Sequence, residues 1–176
     1  MTARRPDQSE PIIPHERTTP MPRVFHLAAA ALLLAAPVAG QSVPNLSGTW
    51  TLQVGKSSFG MMQAPQGRTD VIDHQEPKLT IKRTVVTAAG ETTSNLVYAV
   101  DGKPYKNMVG ESELTSTLKW DGSALVMVST VTTPQGAATI TDRYTLSADG
   151  KTLTQARTIA VQGQENPQTL VLTKQP

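Results

Sequence analysis

The chain contains no cysteine. Disulfide bonds, thiolate chemistry, Cys-ligated metal and a lipid anchor on cysteine are therefore excluded. Histidine is nearly as scarce, because His15 and His26 lie near the N-terminus and only His74 remains in the body of the chain. One histidine cannot supply a paired-histidine zinc site or a two-histidine catalytic site. We therefore predict no metal site and no cofactor.

The usual catalytic motifs are also missing. No Gly-x-Ser-x-Gly elbow accompanies His74, acidic residues fall mainly at predicted turns, and no glycine-rich loop opens a helix. We predict a protein without catalytic residues that is not an enzyme. Residues 41–176 carry twelve Lys and Arg against eleven Asp and Glu, a net charge of +1. Such a balance does not favour nucleic-acid binding.

The sequence has one long apolar run, at residues 27–36. It follows Arg23 and precedes Val38-Ala39-Gly40, a pattern typical of a secretory signal peptide with small residues at the cleavage site. Its length of about ten residues is half of what a membrane-spanning helix needs. We predict a signal peptide at residues 21–40, cleaved near Gly40, and a secreted or periplasmic product without a membrane span. Residues 1–20 are predicted to be a disordered leader or a mis-assigned start.

Residues 41–176 are rich in Thr and Val, with a glycine-containing turn every 10 to 14 residues. Short alternating segments between such turns are typical of antiparallel strands linked by hairpins. No stretch shows convincing helical periodicity. We predict one all-β domain, a single antiparallel up-and-down β-barrel or meander of about 8–10 strands.

Two-residue turns predict which residues face one another in each hairpin. The predicted pairs are Asp70–Arg83 around Glu76-Pro77, Leu79–Val100 around Ala89-Gly90, Tyr98–Tyr105 around Asp101-Gly102, Tyr105–Ser116 around Gly110-Glu111, Leu118–Leu125 around Asp121-Gly122, Leu125–Leu146 around Gln135-Gly136, Asp142–Arg157 and Leu146–Leu153 around Asp149-Gly150, and Leu153–Leu172 around Gln162-Gly163. Together these pairs predict one inner face, with a leucine layer at one end and a mostly polar row at the other.

The polar row supplies the candidate site. Asp142 and Arg157 face each other on the inner side, as do Asp70 and Arg83, and charges inside a barrel must be paired, wetted or bound to a ligand. One interpretation is a structural cross-strand ion pair. The other is a ligand site in which arginines and tyrosines bind the polar end of an amphipathic molecule. The candidate ligand-binding residues are Arg83, Tyr98, Tyr105, Asp142, Tyr144 and Arg157.

The sequence Gly48-Thr49-Trp50 at the opening of the first strand resembles the start of lipocalin-like and fatty-acid-binding (calycin) barrels. Residues 46–59, with Thr-Asp-Arg-Tyr at 141–144 and Ser-Ala-Asp-Gly-Lys at 147–151, resemble uncharacterised exported lipocalin-like bacterial proteins. The resemblance implies a lipocalin-like barrel that binds a small hydrophobic or amphipathic ligand. We assign Gly48 and Trp50 a structural role in closing the barrel.

The resemblance is incomplete in one place. Fatty-acid-binding proteins carry a helix pair between their first two strands, whereas here residues 55–67 leave room for one helical turn at most. Phe59, Met61 and Met62 could form an apolar flap over the barrel end or simply plug it. A packed interior would instead indicate a cavity-free interaction or accessory module of the cell envelope, whereas a cavity of a few hundred cubic ångströms would favour ligand binding.

Overall fold

Ten antiparallel strands make up almost all of the regular structure in a computed structural model, which describes residues 43–134 and 136–176. The leader and signal peptide predicted at residues 1–40 lie outside these residues. The strands are β1 (Gly48–Leu52), β2 (Gly67–Gln75), β3 (Lys78–Thr87), β4 (Gly90–Ala99), β5 (Tyr105–Val109), β6 (Ser112–Asp121), β7 (Ala124–Thr133), β8 (Gly136–Leu146), β9 (Thr152–Val161) and β10 (Gln164–Lys174), with one 3-10 turn at Val54–Lys56. The predicted all-β, up-and-down architecture is confirmed.

The strands form one sheet in the order β4-β3-β2-β1-β10-β9-β8-β7-β6-β5. Since β1 pairs with β10, the meander curls into a barrel that is closed except between β4 and β5. The Asn107 side chain spans this gap, accepting a hydrogen bond from the Val97 N–H at 2.8 Å and donating one to the Val97 carbonyl at 3.1 Å. The Asn107 amide therefore replaces backbone hydrogen bonds that are absent between β4 and β5.

The predicted hairpin around Asp101-Gly102, which set Tyr98 opposite Tyr105, is wrong, because β4 and β5 do not pair. The backbone N–H of Gly102 donates to the carbonyl of Leu118 on β6, 2.9 Å away. This bond holds the linker against β6, so the chain does not turn directly back along β4.

The strand registers fall into two groups. Those around Glu76-Pro77, Gly110-Glu111, Asp149-Gly150 and Gln162-Gly163 are confirmed. The other three are wrong by two residues, because Leu79 pairs with Tyr98, Leu118 with Met127, and Leu125 with Tyr144. In those hairpins the innermost pairs are Thr87–Gly90, Asp121–Ala124 and Thr133–Gly136. A shift of two keeps every side chain on its face, so the predicted inner face survives.

The apolar core occupies one end of the barrel, as the leucine layer predicts. Its fully buried side chains include Trp50, Leu79, Leu118, Leu125, Leu153 and Leu172. Burial of each such side chain stabilises the fold by about 1.5–3 kcal/mol. The segment before β1 seals this end, which we call the closed end, because Leu46 is buried there and its carbonyl accepts a hydrogen bond from the Trp50 indole N–H at 2.9 Å.

Gly48 allows the Lys174 side chain to lie close to the backbone at the same end of the barrel. Its φ is +136°, and a Cβ added there would lie 2.4 Å from Cε of Lys174. The Lys174 ammonium lies 5.5 Å from the centroid of a Trp50 ring, within the range of a cation–π contact. A side chain at position 48 would therefore be strained and would displace the lysine that covers Trp50.

Candidate functional site

An open cavity of about 520 Å³ lies at the polar end of the barrel. This volume is within the usual range for sites that bind small molecules. Its apolar walls include Phe59, Met62, Val85, Val109, Ile159 and Leu170. Three arginines, Arg68, Arg83 and Arg157, also line it, and none of the described lining residues is acidic. The cavity therefore combines apolar walls with a positively charged surface.

Asp70, on β2, holds two of these arginines. Asp70 is 1% exposed, and its carboxylate accepts hydrogen bonds from Nε and Nη2 of Arg83 at 3.0 and 2.9 Å. It also accepts from Nε of Arg68 at 3.0 Å and from Nη2 of the same residue. Burial by itself raises the pKa of Asp70, but the charges and hydrogen bonds of Arg83 and Arg68 outweigh it and hold the pKa well below its usual range. Asp70 is therefore ionised and forms ion pairs with both Arg68 and Arg83.

Asp142, on β8, holds the third arginine. Its carboxylate is fully buried and accepts from Nε and Nη2 of Arg157 at 2.7 and 3.1 Å. Gln155 connects the two halves, because its amide N–H donates to Asp142 at 2.8 Å and its carbonyl accepts from Nη1 of Arg68 at 2.9 Å. We call Arg68, Asp70, Arg83, Asp142, Gln155 and Arg157 the arginine cluster.

The cluster holds more positive than negative groups, since three guanidinium groups face two carboxylates. Burial lowers the pKa of Arg83, but contact with Asp70 raises it well above its usual range. Burial also lowers the pKa of Arg157, and Asp142 raises it above its usual value. Arg83 and Arg157 therefore keep their charge, and the formal charges of the three arginines and two aspartates sum to +1.

Two arginines also keep unused donors. Arg83 and Arg157 each use Nε and Nη2 on a carboxylate. A guanidinium carries five N–H donors, and neither Nη1 group makes a hydrogen bond of normal geometry with another described residue, although the Arg83 side chain contacts Tyr144 closely enough for that contact to raise its pKa. Because both side chains line the cavity, these donors are suited to a ligand.

Tyr98 and Tyr144 lie close to the cluster. Burial is the main reason that the pKa of Tyr98 is raised to about 12. Burial, followed by the charge of Asp142, also raises the pKa of Tyr144. The Tyr144 hydroxyl is buried and makes no hydrogen bond of normal geometry within the described chain, although its contact with Arg83 contributes to the raised pKa of that arginine. Both phenols are therefore neutral at ordinary pH, and neither is among the residues that line the cavity.

The structure brings together five of the six candidate ligand-binding residues, namely Arg83, Tyr98, Asp142, Tyr144 and Arg157. Tyr105 is the exception. Its hydroxyl donates to Asp101 at 3.0 Å, in the linker between β4 and β5. Tyr105 therefore takes no part in the cluster.

Sequence reasoning missed Arg68 and the bridging role of Gln155. Arg68 shares the alternation of Asp70, Ile72 and His74, all of which are buried on the inner side of β2. That alternation was the available signal, but Arg68 lies next to the loop of residues 55–67, where a strand start is hard to locate.

Phe59, Met61 and Met62 belong to a flap at the cavity. Ser58 pairs with Thr169 on β10, and the Met61 N–H donates to Oδ1 of Asn166 at 2.9 Å. Phe59 and Met62 line the cavity, whereas Met61 is 81% exposed and is not among the lining residues. A plug of all three residues is therefore not formed.

Residues 43–134 and 136–176 contain no group of three or more His, Asp and Glu side chains placed to hold a metal ion. Within that part of the chain no helix is both long enough and apolar enough to cross a membrane.

The comparisons with known proteins concern the fold. No protein-family model matches the chain, and no curated protein matches it significantly. Two secretory abundant heat soluble proteins of Ramazzottius varieornatus, at 10% and 13% identity, both superpose with a TM-score of 0.55. They cover 78% and 77% of this chain, and 100% and 99% of their own. The zebrafish ileal bile acid-binding protein, solved with cholic acid, gives a TM-score of 0.51 at 13% identity, covering 73% of this chain and 98% of its own.

These similarities concern the fold alone. The described chain shares with these proteins a nearly closed, up-and-down barrel of antiparallel strands with almost no helix. At such low identity the likeness carries no function with it.

Proposed function

We propose that this chain is an exported, non-enzymatic lipocalin-like barrel that binds a small amphipathic anion. The observation that carries the proposal is the cavity of about 520 Å³ lined by three arginines and no described acidic residue. The anionic group binds at the arginine cluster, and the apolar part lies against the cavity walls and the flap.

The charge of the cluster favours an anion over a neutral molecule. Net positive charge near the barrel interior is costly unless a counter-ion is present. The unused Nη1 donors of Arg83 and Arg157 can bind an anion without displacing Asp70 or Asp142, whose oxygens bond to Nε and Nη2. Charge-assisted hydrogen bonds of this kind are about twice as strong as neutral ones.

The apolar walls account for the rest of the ligand. Val85, Val109, Ile159 and Leu170 can cover a hydrocarbon or aromatic group of modest size. The calycin-type fold is compatible with such a ligand, since the zebrafish protein of the same fold was solved with cholic acid. The open cavity also favours binding over a cavity-free envelope module.

The proposal of export rests on the sequence of residues 21–40. N-terminal sequencing of protein secreted by its own host should begin near Gln41. A chain that still carries residues 21–40 would contradict export without affecting the binding proposal.

Two matched fluorescent probes test the binding proposal. 1-Anilinonaphthalene-8-sulfonate carries one negative charge, and N-phenyl-1-naphthylamine is a similar aromatic molecule without it. The sulfonate should bind more tightly to the folded protein. Arg157→Gln should weaken sulfonate binding at least tenfold and leave the neutral probe within about twofold. The matched control, Arg143→Gln, removes an exposed arginine outside the cavity and should change neither.

A second variant tests the contribution of the cavity walls to binding separately from the contribution of the arginine charge. Ile159→Trp places a large side chain in the cavity wall while keeping every arginine, so it should weaken both probes. Equal affinity for the two probes in the unaltered protein, or no effect of either cavity variant, would contradict the proposal. Native mass spectrometry of protein from its own host should then identify the natural ligand as a co-purifying anion.

A further inference from the structure

The only histidine of the described chain lies at the closed end, away from the proposed ligand site. His74 is on β2, and its side chain is 3% exposed. Nδ1 of His74 accepts a hydrogen bond from the backbone N–H of Leu46 at 3.2 Å. Nε2 lies 2.8 Å from Oε1 of Glu76, and this carboxylate also accepts the indole N–H of Trp120 at 2.7 Å.

These contacts define the tautomer of the ring. The Leu46 N–H is a donor, so Nδ1 must carry a lone pair, and the proton of the neutral imidazole must lie on Nε2, where it can be donated to Glu76. A second proton would have to go to Nδ1. It would place two N–H donors against each other and break the bond to Leu46.

We infer that His74 is a pH-sensitive latch that holds the segment before β1 over the closed end, and that protonation of its ring releases the backbone N–H of Leu46. The inference does not depend on the proposed ligand. Acidification exchanges one contact for another, because the bond to Leu46 is lost while the contact with Glu76 becomes an ion pair.

The surroundings of the ring contain one charged partner. The segment before β1 presents Leu46 and Ser47, β3 pairs Leu79 with His74, and β6 presents the Trp120 ring at a centroid distance of 5.9 Å. Among the described residues, Glu76 is the charged group whose hydrogen bond or ion pair involves the ring. No described cation opposes protonation by direct contact.

Leu46 is the residue whose release would matter. It is 2% exposed and lines a small void in the apolar core together with Leu79, Leu118 and Leu125. The bonds of Trp50 to the Leu46 carbonyl and of Ser47 to the His74 backbone do not involve the ring. Protonation of His74 therefore removes one of the hydrogen bonds that hold the segment before β1, while the other bonds remain and the barrel stays folded.

Amide exchange measured by NMR tests the latch. At pH 8 a long-range proton–nitrogen spectrum of the imidazole should show the proton on Nε2 and none on Nδ1. Between pH 8 and pH 5 the protection of the Leu46 amide should fall about tenfold relative to that of Leu153, which lies deep in the β8–β9–β10 ladder. An unchanged ratio, or a proton on Nδ1 at pH 8, would overturn the inference.

Two variants test whether His74 causes the pH dependence of the Leu46 amide protection. In His74→Asn the side-chain oxygen can accept from Leu46 as Nδ1 does, but it cannot be protonated, so the protection ratio should become independent of pH. Glu76→Gln keeps an acceptor for His74 and Trp120 but removes the charge that favours the imidazolium, so the transition should move to lower pH. A pH dependence that survives His74→Asn would overturn the latch. If that variant fails to fold, an unchanged transition in Glu76→Gln would do so instead.

Discussion

Replacing Asp70 by asparagine tests whether the arginine cluster is held together by its carboxylates. Asp70 accepts four hydrogen bonds, two from Arg68 and two from Arg83, while almost wholly buried. The amide introduced by Asp70→Asn would keep one acceptor oxygen and turn an N–H₂ group toward donors. It would also raise the net charge of the cluster from +1 to +2.

Breaking one partner of a buried ion pair costs about 3–5 kcal/mol, because the remaining charge is left without compensation. Native domains are stable by about 5–15 kcal/mol in total, so Asp70→Asn should remove a large share of the stability. With a urea m value of about 2 kcal/mol/M, the unfolding midpoint should fall by about 1.5–2.5 M.

Urea unfolding followed by far-ultraviolet circular dichroism measures this shift. Glu113→Gln is the matched control, because it removes a carboxylate that pairs with Lys106 on the exposed surface. Its midpoint should stay close to that of the unaltered protein. An Asp70→Asn midpoint within about 0.5 M of the unaltered protein, which is about 1 kcal/mol, would refute the reasoning about buried charge.

Three further predictions concern acid stability, the strand gap and the core. Because the pKa of Asp70 is held below its ordinary value of 3.8, its contribution to stability is present above about pH 4 and is lost as the pH falls further. Urea midpoints between pH 5 and pH 2 should fall less steeply in Asp70→Asn. Asn107→Leu should cost about 1–2 kcal/mol and speed exchange of the Val97 amide, and unchanged exchange would contradict the bridging role. Leu125→Ala should cost about 2–5 kcal/mol in the same urea assay, whereas Val71→Ala, at a 47% exposed position, should change little.

The inner face could be predicted from the sequence because strand periodicity is insensitive to small errors in turn position. Moving a turn by one residue changes the register by two and leaves every side chain on its face. This is why the pairing of Leu118 with Leu125 is wrong although both leucines are buried as predicted. The register around Gln162-Gly163 is right because those two residues alone lie between β9 and β10. The register around Asp149-Gly150 is right because the five residues 147–151 between β8 and β9 are placed symmetrically enough about that dipeptide to keep the predicted pairs.

The gap between β4 and β5 could not be predicted in the same way. An Asp-Gly dipeptide favours a tight hairpin, but here the contact between Gly102 and Leu118 holds the linker against β6. That contact depends on residues sixteen positions apart in the chain, which local turn signals do not report. The same is true of the contact between Arg68 and Gln155, because it joins β2 to β9 across the barrel interior.

The arrangement of donors lets the cluster serve both stability and binding, so the two interpretations of the ion pairs are not exclusive. Each carboxylate is bound through Nε and Nη2 of an arginine, which is the fork that fits a carboxylate best. Nη1 of Arg83 and Nη1 of Arg157 remain for a third anion. Because Arg83 also disfavours the charge of Arg157 through their mutual repulsion, such an anion would relieve an unfavourable interaction already present in the free protein. A bound anion should therefore raise the urea midpoint of the unaltered protein, and raise it more in Asp70→Asn, where the excess positive charge is larger.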